Sequence, residues 1–251
     1  MQHYIWSSLD SALKLSGYDE ALRCGHYEGK AKVAEWILSQ GQEKMAWSVL
    51  TTGPYAEMLS ETQRPKKYGD GVYVFRAPLE DGAVPYIHLD DLASYAKWLF
   101  DHPAESKGLE LKVATQHVAW KDLAESFERV TGKKARYENV SLEEYMPKVW
   151  KMGDVKLGAE YEGENDETLL TWRENFSAWW RLYQRSAGNK GLLTRDYELL
   201  DRILPGRVKS IQEWMVKVGY TGDENKRLLN NGGEGSLPTE LGPESKEKHL
   251  A

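Results

Sequence analysis

A histidine and a lysine four residues apart, in His26-Tyr-Glu-Gly-Lys30, form the first pair in this sequence with the means to do chemistry. At that spacing both side chains project from one face of a helix. A lysine so placed can hold the ribose hydroxyls of a nicotinamide cofactor and lower the pKa of a neighbouring acid. A histidine beside it titrates near neutrality and can give or take a proton. Spacing alone favours a plainer reading, a solvated basic residue next to a capping histidine. Ser7 and Ser8 close a strand-like run, and Thr51-Thr52-Gly53-Pro54-Tyr55 closes the next one. Open parallel sheets bind ligands at the carboxyl ends of their strands, so both segments would face one crevice. Gly53 permits close backbone approach and Pro54 fixes the loop, although an ordinary strand-to-helix turn would use the same residues.

Other groups are weaker. His88, Asp90 and Asp91 with His102 have poor metal-ligand spacing, and an Asp ahead of a helix is the usual cap, so no metal site is expected. Cys24 has a basic neighbour in Arg23 but no triad in sight, and as the single cysteine it excludes a disulfide framework. Trp172, Phe176, Trp179, Trp180 and Tyr183 fall near one helical face, a stripe that reads as core before it reads as a stacking platform.

The elements that must position these groups follow from periodicity. His3–Ser8 reads as a buried strand, residues 9–25 as a loop with a Gly17-Tyr18-Asp19 turn, and His26 to Gly41 as a helix with Ala31, Ala34, Ile37 and Leu38 on its apolar face. Met45–Leu50 is a second buried strand, which completes the outline of a parallel crossover. Gly71–Phe75, an extended Val84–His88, a helix capped by Asp90 or Asp91, and a strand over Gly108–Val113 come next. Trp120–Thr131 is a helix closed by Gly132, Ala135–Val140 is a strand, and Ser141-Leu-Glu-Glu144 has the form of a capping box. Helices around Asp196–Leu204 and Ser210–Val218 precede a Gly-, Asn-, Glu- and Lys-rich stretch from 221 that reads as a disordered tail.

Composition bounds the function. The chain has 251 residues, 41% hydrophobic and 29% charged, with 33 basic against 39 acidic side chains and a formal net charge of −6. That balance argues against direct nucleic-acid binding. No apolar run reaches the roughly 20 residues of a membrane span, and the first residues lack the basic start of a signal peptide, which points to a cytoplasmic or nuclear protein. No G-x-G-x-x-G follows any strand.

Taken in order, His3-Tyr-Ile-Trp-Ser-Ser-Leu9, Cys24-Gly-His-Tyr-Glu-Gly-Lys30, Val84-Pro-Tyr-Ile-His-Leu-Asp-Asp91 and Val130-Thr-Gly-Lys-Lys-Ala-Arg-Tyr137 with Ser141-Leu-Glu-Glu-Tyr145 resemble the NmrA-like family of atypical short-chain dehydrogenase/reductase proteins. Thr194–Asp201 and Arg207–Trp214 are similar to the ending of its fungal members, so the resemblance covers about residues 2–222. It implies an α/β fold: the C-terminal part of a Rossmann-type NAD(P)-binding domain (1–70 and 84–118) plus a smaller mixed α/β to α-helical lobe (71–83 and 119–220). It also implies NADP as cofactor, with Ser7, Ser8, Lys30, Thr52, Gly53, Pro54 and Tyr55 as contacts, and Lys30 and His26 as the catalytic pair. His26 stands where the wider superfamily carries the tyrosine of Y-x-x-x-K, and Tyr27 is one residue out of register. Set against the family, Met1 falls just ahead of the fifth strand. The expectation is therefore a chain lacking the Gly-rich βαβ portion and its phosphate-binding loop, with impaired cofactor binding. Two functional classes stay open. One is a redox-sensing regulator or oxidoreductase, with a transcription-factor partner or a small-molecule substrate. The other is a non-catalytic remnant or interaction protein that binds no nucleotide. Homo-oligomerisation is compatible with both.

Overall fold

A computed structural model describes residues 3–149, 153–158 and 166–223, the side chains of 147–149 excepted. The expected disordered tail lies outside the described residues from 224 onward. The first layer is a parallel sheet. Strand β1 (His3–Ser8) pairs with β2 (Ala46–Thr51) in a register running from His3 opposite Ala46 to Ser8 opposite Thr51. On its other side β2 pairs with β5 (Glu110–Lys112), Val49 opposite Glu110. Among the described residues no strand pairs the other edge of β1.

Helix α1 (Gly25–Leu38) is the crossover between β1 and β2. Its apolar positions Tyr27, Ala31, Ala34 and Ile37 recur at three- and four-residue intervals, so they form one stripe, and all are buried. Ala34 and Ile37 pack on Trp47 and Val49 of β2. The alternate residue Leu50 points to the opposite face, where it meets Leu111, Tyr95 and Leu99. The last two belong to α2 (Leu89–Asp101), so helices cover both faces of the sheet.

A second sheet joins β3 (Tyr73–Ala77) in parallel to β7 (Ala135–Asn139), and β4 (Val84–Tyr86) pairs antiparallel with β6 (Gln116–Val118). Helix α3 (Trp120–Thr131) buries Trp120, Leu123, Ala124 and Phe127 and ends on Gly132 with φ of 69°, a left-handed position that suits glycine. The largest core cluster brings Phe75, Trp120 and Phe127 together with Trp179, Trp180 and Tyr183 of α5 (Trp172–Gln184) and Trp214 of α7 (Ile211–Val218). Helices α4 (Leu142–Val149) and α6 (Tyr197–Ile203) flank α5 along the chain.

Three local expectations need correction. The 9–25 segment holds a short helix at Ala12–Leu15 and a 3-10 turn at Glu20–Leu22, capped by Ser11 and Asp19. Helix α2 starts from His88 rather than from Asp90 or Asp91, which both sit in its first turn. Asp91 instead accepts the backbone N–H of Val208 at 2.9 Å, tying α2 to the segment before α7. At the head of α4, Ser141 Oγ does accept the Glu144 N–H at 3.1 Å, while the Glu144 carboxylate also reaches Arg76 at 2.7 Å. A full reciprocal capping box stands elsewhere, between Thr171 and Glu174 at the start of α5.

The ends of all three parallel strands converge on one cation. Arg195 has no exposed side-chain surface and meets Asp10 through two contacts of 2.7 and 3.3 Å. It also donates to the carbonyls of Thr52 and Val113, just past β2 and β5. Lys112 stands 3.6 Å from the same Asp10.

Arg195→Ala leaves a buried carboxylate with only that distant lysine, and we expect it to cost about 3 kcal/mol, the lower end of the usual range for breaking a buried pair, in urea unfolding. His117 gives a second test. Burial and the neighbouring Arg195 charge lower its pKa from 6.5 to about 4. The unfolded chain takes up this proton near pH 6.5, whereas the folded chain holds it off until about 4. The contribution of neutral His117 is thus complete above 6.5 and is lost as pH falls through that window. Urea midpoints should fall across the window, and less steeply in His117→Gln.

Candidate functional site

All the residues proposed from sequence come together at one cleft beyond the carboxyl ends of β1 and β2. A cavity of about 220 Å³ is lined by Ser7, Ser8, His26, Lys30 and the run Thr52 to Tyr55, with Leu9, Tyr27, Met58, Phe176 and Trp179 as its apolar and aromatic wall. The parallel register explains the convergence: Ser8 lies opposite Thr51, and Thr52 N–H extends the ladder to the Ser8 carbonyl at 3.1 Å.

Helix phase decides what α1 shows to this cavity. His26 and Lys30 face outward, while Tyr27 between them faces the core. Lys30 Nζ donates to the Ser7 carbonyl at 3.0 Å and lies 5.4 Å from the centre of the Trp6 ring, so the ammonium is held at the strand end with donors to spare. Ser8 Oγ donates to the carbonyls of Leu9 and Lys30 and is buried. Ser7 is exposed. Thr52, Gly53 and Pro54 are buried, and Tyr55 pairs with Ile87 in an isolated parallel bridge. Gly53 is there for space: a Cβ at this position would stand 2.5 Å from the Pro85 carbonyl oxygen.

Tyr27 also borders this cavity, but it is almost wholly buried and its hydroxyl is turned into the core. Its hydroxyl is buried against that of Tyr183, and burial pushes its pKa well above the usual tyrosine value. It cannot serve as a phenolic acid toward a bound ligand.

A second cavity, of about 460 Å³, adjoins the first across His26 and Phe176, which line both. Its remaining walls are largely apolar, from Leu157, Leu169 and Leu170, with Arg23, Thr168 and Asn175 as polar members. Phe176 is stacked on Trp172, ring centres 5.1 Å apart at 18°. The aromatic stripe of α5 therefore divides. Trp180 and Tyr183 are core, Trp179 is buried but borders the smaller cavity, and Asn175 and Phe176 supply wall to the larger one.

Three residues of Cys24, His26 and Asn175 superficially resemble a nucleophile triad. Cys24 Sγ lies 3.4 Å from His26 Nδ1, and Asn175 Nδ2 lies 3.0 Å from the same nitrogen. A working triad needs base and orienter on opposite ring nitrogens. Here both lie nearest Nδ1, with Cys24 Sγ farther from Nε2 at 3.9 Å, and burial raises the Cys24 pKa far above the thiolate range at neutral pH. The group is a positioning device for the histidine. Burial also lowers the His26 pKa, against a smaller raising effect of the Asn175 hydrogen bond, so the ring is neutral near pH 7.

Arg23 and Asn175 were not among the sequence candidates. Asn175 carried a readable signal, a polar side chain on the apolar face between Trp172 and Trp179, and it is fully buried. Arg23 carried none. The remaining sequence candidates are dispersed: His88 is buried against Glu57 at 2.6 Å, and His102 is stacked on Trp98. Burial works to lower the His88 pKa, but the hydrogen bond and charge of Glu57 raise it overall. No group of three or more metal-ligating side chains occurs among the described residues, and no helix among them is long and apolar enough to cross a membrane.

The comparisons with known proteins bear on the family and the fold. A family model described as the NmrA-like family matches residues 1–170. Solved structures share the fold. The negative transcriptional regulator NmrA in complex with NADP superposes with a TM-score of 0.61 at 16% identity, covering 87% of this chain and 64% of that one. The Escherichia coli NADPH-dependent quinone oxidoreductase complexed with NADPH gives 0.60 at 16% identity, with 87% and 66% covered. A nucleoside-diphosphate-sugar epimerase from Staphylococcus aureus gives 0.56 at 16%, with 86% and 65% covered. The chain thus spans about two thirds of the length of these structures. No curated protein matches the sequence.

Gly53→Ala forces a methyl group onto the Pro85 carbonyl. We expect a loss of about 1–3 kcal/mol in denaturant unfolding, the usual cost of overpacking, with backbone amide shifts concentrated at residues 52–55 and 85–87.

Proposed function

The chain belongs to the NmrA-like family, and from that premise we propose that its cleft binds the nicotinamide–ribose end of NADP(H) next to a cavity for a small apolar molecule. The observation that carries this reading is the pair of adjoining cavities with the shared wall of His26 and Phe176. The 220 Å³ cavity is smaller than the roughly 300–1,000 Å³ of a site for a whole drug-sized ligand, so it suits one end of a dinucleotide. The 460 Å³ cavity falls within that range.

The residues present fit the cofactor end. The cavity lies at the carboxyl ends of parallel strands, and Gly53 leaves no side chain between its loop and Pro85. Bound nicotinamide supplies a hydride to, or accepts one from, a molecule in the neighbouring cavity. Lys30, Ser7 and Ser8 would hold the ribose, with Lys30 keeping positive charge beside it. Thr52 to Tyr55 form the opposite wall. His26 stands between the two cavities with Phe176, both lining each of them.

A second reading, a redox-responsive regulator that binds dinucleotide and a protein partner without turnover, is favoured by the sequestered Tyr27 hydroxyl. The likeness to the regulator NmrA supports it, and the likeness to the quinone oxidoreductase supports reduction of a small molecule.

Calorimetric titration of the 251-residue chain with NADPH should show saturable binding, weakened roughly tenfold, or about 1.4 kcal/mol, by Lys30→Ala. Binding without NADPH oxidation across ketones, enones and quinones would select the regulator. No binding at millimolar nucleotide would favour a non-catalytic interaction protein.

A further inference from the structure

We infer that Asn175 locks His26 in the Nε2–H tautomer, so that the larger cavity offers a neutral hydrogen-bond donor and takes flat, uncharged carbonyl compounds. This deepens the cleft reading above but does not need a bound nucleotide. Gly25 N–H donates to the Asn175 side chain at 2.7 Å. A backbone N–H only donates, so the atom it meets must be Oδ1, which fixes the orientation of the amide. Asn175 Nδ2 then faces His26 Nδ1 at 3.0 Å and has only hydrogens to present. Nδ1 must therefore supply a lone pair. The Cys24 thiol, 3.4 Å from the same nitrogen, is buried and stays protonated, so it too approaches as a donor. On a neutral ring the proton is left on Nε2.

Asn175 is suited to this task because it has no freedom left. It is fully buried, and its two ends are engaged 149 and 150 residues away along the chain. The same contact satisfies the first amide of α1, which Cys24 as N-cap does not reach through its side chain. Asn175 is thus a positioning residue, and His26 is the group that meets the ligand.

The cavity walls set the rest of the ligand's chemistry. Phe176, backed by Trp172, is a flat face, and Leu157, Leu169 and Leu170 surround it. Arg23 carries a charge, but it stands in an exposed pair with Glu20 at 3.4 Å, which partly offsets that charge. A neutral donor beside apolar walls favours a bare carbonyl oxygen over a carboxylate, and over a hydrocarbon that leaves the donor unpaired.

The test uses the whole chain without nucleotide. Long-range proton–nitrogen NMR of the imidazoles, with the His26 signals assigned by their loss in His26→Gln, should show Nδ1 bare and Nε2 protonated at neutral pH. In Asn175→Asp the facing atom becomes an acceptor, so the proton should appear on Nδ1. Tryptophan fluorescence should show 9-fluorenone binding about fivefold more tightly than fluorene, the factor for one net hydrogen bond of about 1 kcal/mol. His26→Gln and Asn175→Asp should lessen that preference. A wild-type ring protonated on Nδ1, or equal affinity for the two probes, overturns the proposal even if Asn175→Asp fails to fold. Failure of the NADPH titration alone would count against the cofactor reading and leave this one standing.

Discussion

Arg195 is the buried cation on which the cleft depends. Its guanidinium makes two contacts with Asp10 and donates further to the carbonyls of Thr52, Val113 and Thr194. Each of those carbonyls belongs to backbone that has just left a sheet or is about to enter a helix, where ladder partners run out. An ion pair removed from water gains little net stability from its charges alone, because desolvation of both ions opposes their attraction. What it gains here is definition, since a planar fork satisfies several acceptors in one fixed geometry. Asp10 follows β1, Thr52 follows β2 and Val113 follows β5, so one side chain holds three strand ends in register. The loops that line the smaller cavity start from those ends.

On this frame α1 allocates roles by rotation. Successive helical residues turn by about 100°, so His26 and Tyr27, though adjacent, look in different directions. His26 faces the cleft, and Tyr27 faces the core and the hydroxyl of Tyr183. Lys30, one turn beyond His26, returns to the cleft. A shift of one residue would have placed a phenol at the ligand and a histidine in the core. The chemistry open to this site, a neutral imidazole and an ammonium in place of a tyrosine–lysine pair, follows from that phase.

Much of this was legible in the chain. The parallel crossover, the closing Gly132 and helices α3 and α7 follow from local periodicity and cap residues, and local signals survive folding when core packing agrees with them. Ser7, His26, Lys30 and Thr52 to Tyr55 were grouped correctly as neighbours because strand-end geometry is a property of the fold class. Cap choice was less legible. Asp90 and Asp91 are good N-caps by type, yet Asp91 serves Val208, more than a hundred residues away. The partners that give His26 its character were hidden for the same reason. Asn175 and Arg23 reach the cleft only through tertiary contact. A lone polar residue within an aromatic stripe was the one mark that Asn175 left in the sequence.

Asn175 also sets how the cleft comes apart. Its oxygen closes the first turn of α1 and its nitrogen holds the histidine of that turn, while its own backbone belongs to α5. The Tyr27–Tyr183 contact joins the same turn of α1 to α5 about two turns further along. Helix α1 therefore has no opening in which the cleft is lost and α5 stays in place. Opening the first turn of α1 would break both of the Asn175 contacts at once, coupling local unfolding there to α5. Catalytic lids are commonly drawn from the least stable parts of a protein, but this wall is drawn from the core. The width of the larger cavity on its His26 side is then a fixed dimension, and a ligand meets a shape already made.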